Sequence, residues 1–195
     1  MELRFQYNKI SIQALQKQLK IRQTALPTLK SKETYLRISI KKEKNRLDEQ
    51  QDELAELRSR IGESEQLFSE YPTDSLRIMD IEYDSKKMAG IIIPGLGEIS
   101  FAEAAGALVQ KPAWLLWGWK VAKHLIRIIT EIDVTQRRIE LLELARKKTT
   151  QKVNLYEKMQ IPQFSEAILK IRRYLEDVEN LDKATQKITK ARQSP

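Results

Sequence analysis

The sequence offers few side chains that could carry out catalysis. It has one histidine, His124, and no cysteine, so thiolate nucleophiles, thiolate metal ligands and disulfides are excluded. His124 has no nucleophile or orienting carboxylate at a recognisable spacing, which favours a surface or packing role over general-base chemistry. Gly95-Leu96-Gly97 lacks the further residues of a dinucleotide or phosphate loop, which favours a turn. We therefore expect no catalytic residue, no metal site and no cofactor.

Positive charge is concentrated toward both ends of the chain. The formal net charge is +8, with a net of +9 in residues 1–46, +7 in residues 120–195 and −6 in residues 47–70. Such asymmetry indicates a charged partner and says little about the fold. Nucleic acid is disfavoured, because no one-sided Lys/Arg run is interleaved with aromatic residues and no reader motif is present. An acidic protein sleeve explains the charge equally well.

The first third of the chain carries a long apolar repeat. Alternating steps of three and four from Ile12 to Phe68 meet mostly leucine and isoleucine, without a change of register. A repeat of this length predicts a coiled-coil helix over residues 1–71, with Asn8 as a cap and Tyr71-Pro72 as a stop. Since one helix cannot bury such a stripe, this helix needs a partner helix.

A second seam of the same kind begins at Val121 and resumes beyond Val153 as far as Val178. The polar stretch 146–150 predicts a stutter between its two parts. Two long striped helices in one chain most simply fold back on each other. We therefore predict an all-α fold, a long antiparallel two-helix coiled-coil hairpin. Because Pro27 and Pro162 fall near one level of such a hairpin, we also expect the two prolines to bend it together.

Residues 72–119 differ from both helices and predict a small α/β connector at one end of the hairpin. Residues 90–99 are β-branched and bounded by glycine and proline, which predicts a strand or small β-hairpin, and residues 101–109 predict a short helix. Trp114, Trp117 and Trp119 then lead into the second helix over residues 120–195. They could anchor at a membrane interface, contact a partner or pack the connector onto the helices, and packing is favoured. The whole chain, 1–195, is predicted to be a single elongated domain.

No stretch approaches the ~18 apolar residues that span a bilayer. The amino terminus also lacks the apolar core of a signal peptide. We therefore expect a soluble, cytoplasmic protein that reaches a membrane only through a partner, without inserting into it.

Four segments, in this order, resemble the D subunit of V-type and A-type ATPases (ATP synthases). They are Asn8-Lys9, the run at 25–36 that is similar to LPxLKxKxxxL, the run at 88–94 that is similar to AGVxxP, and the run at 151–162 that is similar to RRVNALExxxIP. At 151–152 the chain has Gln-Lys where the family often has two arginines. Each motif alone is weak, but their order and spacing cover nearly the whole chain.

The resemblance implies a non-catalytic rotor shaft, the central stalk, inside a ring of A and B subunits. The F subunit would bind the stalk part way along, and an adapter of the membrane ring would bind the connector end. From position and sign of charge, the predicted contacts with the A/B bore are Lys9, Lys17, Lys20, Arg22, Lys170, Arg172, Arg173, Lys183 and Lys187. The predicted contacts with the adapter are Ile93, Pro94, Trp114, Trp117 and Trp119.

Two other functions share this periodicity. A coiled-coil tether or scaffold predicts a self-associating homodimer with no hexameric partner. A basic helical hairpin on nucleic acid or an anionic membrane predicts affinity that falls steeply with salt.

Overall fold

The computed structural model describes residues 4–62, 76–103 and 113–193. Its elements, in chain order, are helix α1 (Lys9–Gly62), strand β1 (Leu76–Met88), strand β2 (Ile91–Glu103), helix α2 (Ala113–Asn154), a π-helical turn (Leu155–Gln160) and helix α3 (Ile161–Gln193). The chain divides into two compact units. Unit 1 contains residues 1–33 and 147–195, and unit 2 contains residues 34–146.

The predicted fold class is confirmed: long helices at both ends of the sequence are joined through a small two-stranded sheet. The second helical stretch begins at Ala113, earlier than the expected residue 120, so all three tryptophans belong to helix α2. None of the described helices combines the length and the apolarity that crossing a membrane requires.

Helix α1 begins where the sequence predicts. The side-chain Oδ1 of Asn8 accepts a hydrogen bond of 2.7 Å from the backbone N–H of Ser11, which satisfies one of the free donors of the first turn. Every position of the predicted seam from Ile12 to Ile61 is buried or partly buried. Phe68 and the expected stop at Tyr71-Pro72 lie outside the described residues.

The break in the second seam is not at 146–150, as the sequence predicted. Helix α2 continues through this stretch, and Thr149 and Val153 keep the heptad register set by Leu142. The register shifts instead between Val153 and Phe164, by one residue. The π-helical turn lies in this interval, and the backbone N–H of Ile161 donates to the oxygen of Tyr156, five residues earlier. A π turn inserts one residue into a helix, which accounts for the shift.

Both prolines are accommodated in unit 1. Pro27 lies inside helix α1, and Pro162 lies in the first turn of helix α3, directly after the π turn. The contacts Arg22–Gln160 and Lys30–Glu157 align the two helical stretches. On this alignment Pro162 is about five residues, or about 7 Å, from the level of Pro27. Their joint bending stays a prediction.

The connector contains an antiparallel β-hairpin with a tight turn at Ala89 and Gly90, whose φ angles are 53° and 80°. Positive φ at both central residues matches the twist of paired strands. The turn expected at Gly95-Leu96-Gly97 is wrong, because these residues lie within β2. Glycine is needed there for close approach, since a Cβ at Gly97 would lie 3.1 Å from the carbonyl oxygen of Glu82 on β1.

The short helix expected over 101–109 is corrected at its start, because residues 101–103 continue strand β2. Its remaining residues lie outside the described part of the chain.

Each unit has its own apolar cluster. In unit 1, Leu15 of α1 packs against Phe164, Ile168 and Ile171 of α3, with Ile171 fully buried. In unit 2, Leu36 and Ile40 of α1 pack against Leu142 of α2 and Ile93 of β2. Burial of each such side chain contributes about 1.5–3 kcal/mol before the entropy cost. The hairpin is thus part of the core of unit 2.

Candidate partner-binding surfaces

Most of the basic residues predicted to contact the A/B bore lie exposed in unit 1. They come from two elements, with Lys9, Lys17 and Lys20 on α1, and with Lys170, Arg172, Arg173, Lys183 and Lys187 on α3. The exposed face of unit 1 therefore presents cations to solvent from both helices, and such a surface can attract acidic groups of a partner.

Arg22 differs from this set, because its guanidinium binds other residues of unit 1. Its Nε donates a hydrogen bond of 2.6 Å to Oε1 of Gln160, and Nη1 donates to the side-chain and backbone oxygens of Gln18. Its Cζ also lies 4.6 Å from the centre of the Phe164 ring. These contacts make Arg22 a cross-helix tie.

Two of the exposed lysines pair with a carboxylate one helical turn earlier. Lys170 Nζ lies 2.8 Å from Glu166, and Lys183 Nζ lies 2.7 Å from Glu179. The hydrogen bond with Glu166, and then its charge, raise the pKa of Lys170 above its ordinary value. The pKa of Glu179 is lowered by the matching contacts with Lys183. Such exposed pairs stabilise a helix weakly and are easily exchanged for contacts with a partner.

The residues predicted to meet the adapter fall into two groups in unit 2. Ile93 and Trp119 are 3% and 4% exposed, so their side chains belong to the core. Pro94 is partly buried, and Trp117 is 47% exposed. Trp114 lies in the first turn of α2, and its side chain is outside the described part of the chain. The burial of Trp119 supports the packing interpretation, whereas Trp117 presents an aromatic surface.

A buried polar cluster in unit 2 was not predicted from the sequence. Nε of Arg138 on α2 donates to the backbone oxygen of Pro94 on β2, and its Nη1 lies 3.6 Å from Oε2 of Glu43 on α1. The side chains of Arg138 and Glu43 are only 14% and 10% exposed. Arg138 therefore ties three elements together through one guanidinium.

One signal for this cluster was present in the sequence. Glu43 and Gln50 occupy positions of the α1 seam, where a polar residue requires a buried partner. The side-chain Nε2 of Gln50 donates a hydrogen bond of 3.0 Å to Oε2 of Glu131 on α2. Arg138 gave no such signal, because it lies one position away from the seam residue Ile139.

His124 lies on the surface of unit 2, as the sequence predicted. Its Nε2 is 3.3 Å from Oε1 of Glu53, and both side chains are about half exposed. Within the described residues, no three His, Asp or Glu side chains cluster closely enough to hold a metal ion.

Comparison with known proteins gives one family. Residues 11–191 match the family model that describes the D subunit of ATP synthase. Three relatives each carry the name of the V-type ATP synthase D subunit. The one from Borreliella burgdorferi is 31% identical over 89% of this chain and 87% of its own length. Those from Chlamydia pneumoniae and Chlamydia muridarum are 27% and 28% identical, over 91% and 97% of this chain and 87% and 96% of their own lengths. With a family match that spans nearly all of its residues, and with the paired helices and β-hairpin described above, this chain belongs to the family of ATP synthase D subunits.

Proposed function

We propose that this chain is the central rotor shaft of a V-type rotary ATPase, which transmits torque between a catalytic A/B hexamer and a membrane ring. The observation that carries the proposal is the family match over residues 11–191. The antiparallel pairing of helices within each unit supports it, because a close-packed seam resists twisting.

Ion pairs between the helices add to this resistance. In unit 1, Lys30 of α1 lies 2.6 Å from Glu157 of the π turn, and in unit 2, Lys44 of α1 lies 2.8 Å from Glu143 of α2. Each pair is exposed and contributes little to stability alone. Together with the seam, they oppose sliding of one helix along the other.

The shaft performs no ATP chemistry of its own. Two helices have no threefold symmetry, so three similar catalytic sites each meet a different face of the chain. Different contacts favour different conformations of those sites, and rotation imposes the conformations in turn. Hydrolysis or synthesis of ATP in the A and B subunits is thereby coupled to rotation and to ion transport.

The charges and exposures of each unit support the partners proposed here. Exposed cations of unit 1, from Lys9 to Lys187, lie in the bore of the A/B hexamer. Pro94, Trp114 and Trp117 of unit 2 contact the adapter of the membrane ring, while Ile93 and Trp119 support that surface from the core. The F subunit binds along the helices. The protein is cytoplasmic and reaches the membrane only through the complex.

A single-molecule rotation assay tests the proposal. The A and B subunits are immobilised, and a bead is attached to this chain through a cysteine introduced at an exposed position of β1, such as Met79, which is 70% exposed. We expect the bead to turn in one direction during ATP hydrolysis, with three dwell positions in each revolution. Hydrolysis without rotation of the bead would contradict the proposal.

The same preparation separates the alternative functions. A tether or scaffold would form a homodimer and would not join the A/B hexamer. A hairpin on nucleic acid or lipid would bind those molecules with steep salt dependence and would leave the hexamer unbound. Either result would contradict the proposed function and support the corresponding alternative.

A further inference from the structure

The seam between α1 and α2 in unit 2 contains polar residues that a stiff pair of helices does not require. Glu43 and Gln50 of α1 are 8% and 6% exposed, and Thr135 of α2 is 1% exposed. Each of the two α1 residues contacts a charged residue across the seam, since Glu43 contacts Arg138 and Gln50 contacts Glu131. The two contacts lie one heptad apart on both helices.

These polar contacts are less stabilising than apolar packing in the same positions. Oε2 of Glu43 and Oε1 of Gln50 are buried and have no hydrogen-bond partner among the described residues. The ion pair between Glu43 and Arg138 spans 3.6 Å, which is longer than a charge-assisted hydrogen bond. A buried polar atom without such a bond keeps its desolvation cost, and well-packed apolar residues are often at least as stabilising. The polar residues therefore need an explanation other than stability.

The apolar residues of this seam do not distinguish one register of the two helices from another. They repeat at heptad spacing on both sides, with Leu36, Ile40 and Leu47 on α1 and with Ile132, Ile139 and Leu142 on α2. Sliding one helix by one heptad, about 10 Å, would again place apolar side chains opposite apolar side chains. A seam made only of leucine and isoleucine would therefore accept several registers.

The polar residues do distinguish these registers. A slide by one heptad in one direction would place Glu43 opposite Glu131, so that two carboxylates would meet in the seam. A slide in the other direction would place Glu43 opposite Ala145, which carries no charge, and the adjacent Arg146 is exposed. Either slide separates the buried carboxylate of Glu43 from Arg138, which is strongly unfavourable. The observed register is the one that pairs the two charges.

The same residues disfavour pairing between two copies of the chain. A parallel coiled coil of two α1 helices would place equal heptad positions opposite each other. Glu43 would then face Glu43 of the second copy, and Gln50 would face Gln50, with no cation in the seam at either position. With leucine at both positions, the seam from Leu36 to Leu57 would be wholly apolar, which is the pattern of a self-associating coiled coil.

We infer that Glu43, Gln50 and Arg138 select the pairing of α1 with α2 in a single register and within one chain, although they lower its stability. Arg138 also donates to the backbone oxygen of Pro94, so β2 is held in the same register as the two helices. The inference does not depend on the proposed function, because it concerns how the two helices find each other and not what they bind.

Two triple variants of the full chain test the inference, and they make the same kinds of substitution. The seam variant carries Glu43→Leu, Gln50→Leu and Arg138→Met. The surface variant is the matched control and carries Glu49→Leu, Asn45→Leu and Arg137→Met, at exposed positions of the same helices. Both variants therefore change apolar content and net charge equally, and only the first alters the seam.

Crosslinking between introduced cysteines reports the register, since the chain has no other cysteine. Lys44→Cys with Glu143→Cys reports the observed register, because these two side chains form an exposed ion pair of 2.8 Å. Gln51→Cys with Glu143→Cys and Lys44→Cys with Gln136→Cys report slides by one heptad in the two directions, and both glutamines are exposed. A short bismaleimide joins the thiols. Light scattering after size-exclusion chromatography measures the mass of each variant without the added cysteines.

We expect the parent and the surface variant to crosslink mainly in the observed register and to have the mass of a monomer. The seam variant should unfold at an equal or higher urea concentration, and its crosslinking yield from the slid pairs or its dimer fraction should rise about fivefold or more. An unchanged register and mass in the seam variant would overturn the inference, as would an equal rise in the surface variant. Unfolding of the seam variant at a lower urea concentration than the surface variant would also overturn it, because the polar residues would then stabilise the fold.

Moving the cation gives a second arm that keeps opposite charges in the seam. Arg138→Met with Ala145→Arg offers Glu43 its cation only after a slide by one heptad. Crosslinks should therefore move from the cysteine pair at 44 and 143 toward the pair at 51 and 143. Crosslinks that remain at 44 and 143 would show that the connector sets the register without the polar pair, and would overturn the inference.

Discussion

At the scale of single residues, the guanidinium of Arg138 joins three elements of unit 2. Arg138 lies between the backbone oxygen of Pro94 and the carboxylate of Glu43. Among the described residues, the buried Oε2 of Glu43 has no hydrogen-bond partner and only this ion pair. A buried carboxylate that loses its cation keeps the desolvation cost and loses the compensation. Arg138 should therefore matter far more than its exposed neighbour on the same helix.

Replacing Arg138 with methionine should lower the free energy of unfolding by about 3 kcal/mol, because Glu43 is left unpaired and Pro94 loses its donor. Urea unfolding followed by circular dichroism measures the change. Arg137→Met is the matched control, since Arg137 is 65% exposed and pairs with Glu140 on the surface. Similar losses in the two variants would contradict the prediction, and the double variant Glu43→Leu, Arg138→Met should recover much of the stability.

Neighbouring isoleucines on β2 give a second residue-scale prediction. Ile93 is 3% exposed in the unit 2 cluster, whereas Ile92 is 69% exposed on the opposite face of the strand. Ile93→Ala should cost about 2–4 kcal/mol through the cavity it leaves, and Ile92→Ala should cost less than about 0.5 kcal/mol. Hydrogen exchange of the β-hairpin amides measures both. A hairpin equally protected in the two variants would show that Ile93 does not hold it.

At the scale of elements, the sequence predicted regular periodicity well and irregular structure poorly. The α1 seam and the Asn8 cap are confirmed, because repeated burial and a first-turn hydrogen bond leave clear sequence signals. The predicted stutter at 146–150 is too early, because the heptad continues through Thr149 and the register shifts only in the interval that contains the π turn. Gly95 and Gly97 were misassigned, because glycine marks close approach as well as turns.

The candidate site was predicted less completely than the fold. The sequence identified which residues are charged, and unit 1 does expose most of them. It did not identify Arg22 as a contact between the helices, nor Ile93 as a core residue, because these roles depend on contacts between segments far apart in the chain. The pattern of neighbouring residues in the sequence does not predict such contacts unless both contacting residues lie in an apolar seam.

Deletions test whether the π turn accommodates the one extra residue in the register of the second seam. Removing Met159, together with Pro162→Ala to allow a regular helix, should preserve cooperative unfolding, because one residue less restores the heptad between Val153 and Phe164. Removing Ile129 from regular helix α2 is the control, and it should cost several kcal/mol by rotating one part of the seam away from α1. Thermal unfolding measures both. Equal damage from the two deletions would show that the π turn is not a tolerated insertion.

The turn of the β-hairpin can be tested with two glycines. Gly90→Ala should lower stability by about 1–2 kcal/mol, because φ at Gly90 is 80°, in the left-handed region. Gly62→Ala should raise it by up to about 1 kcal/mol, since Gly62 is helical and no described residue lies within 4 Å of a Cβ placed there. Urea midpoints of the two variants should therefore move in opposite directions. A Gly90→Ala variant as stable as the parent would show that the turn is not strained by a side chain.

At the scale of the whole molecule, the excess of exposed cations leads to a prediction about the rate of assembly. Exposed cations on α3 of unit 1 attract an acidic surface over a distance of about a Debye length, so they should act on the rate of association with the A/B hexamer. Arg173→Glu with Lys187→Glu should lower the association rate constant about tenfold at low salt, and the difference should largely vanish near 0.5 M salt. Stopped-flow fluorescence with labelled chain measures the rates. Arg58→Glu, an exposed change in unit 2, is the control and should leave the rate nearly unchanged. A lower rate constant that persists at high salt would mean that these side chains make short-range contacts and do not steer the approach. An unchanged rate constant at low salt would mean that other residues make the contacts with the bore.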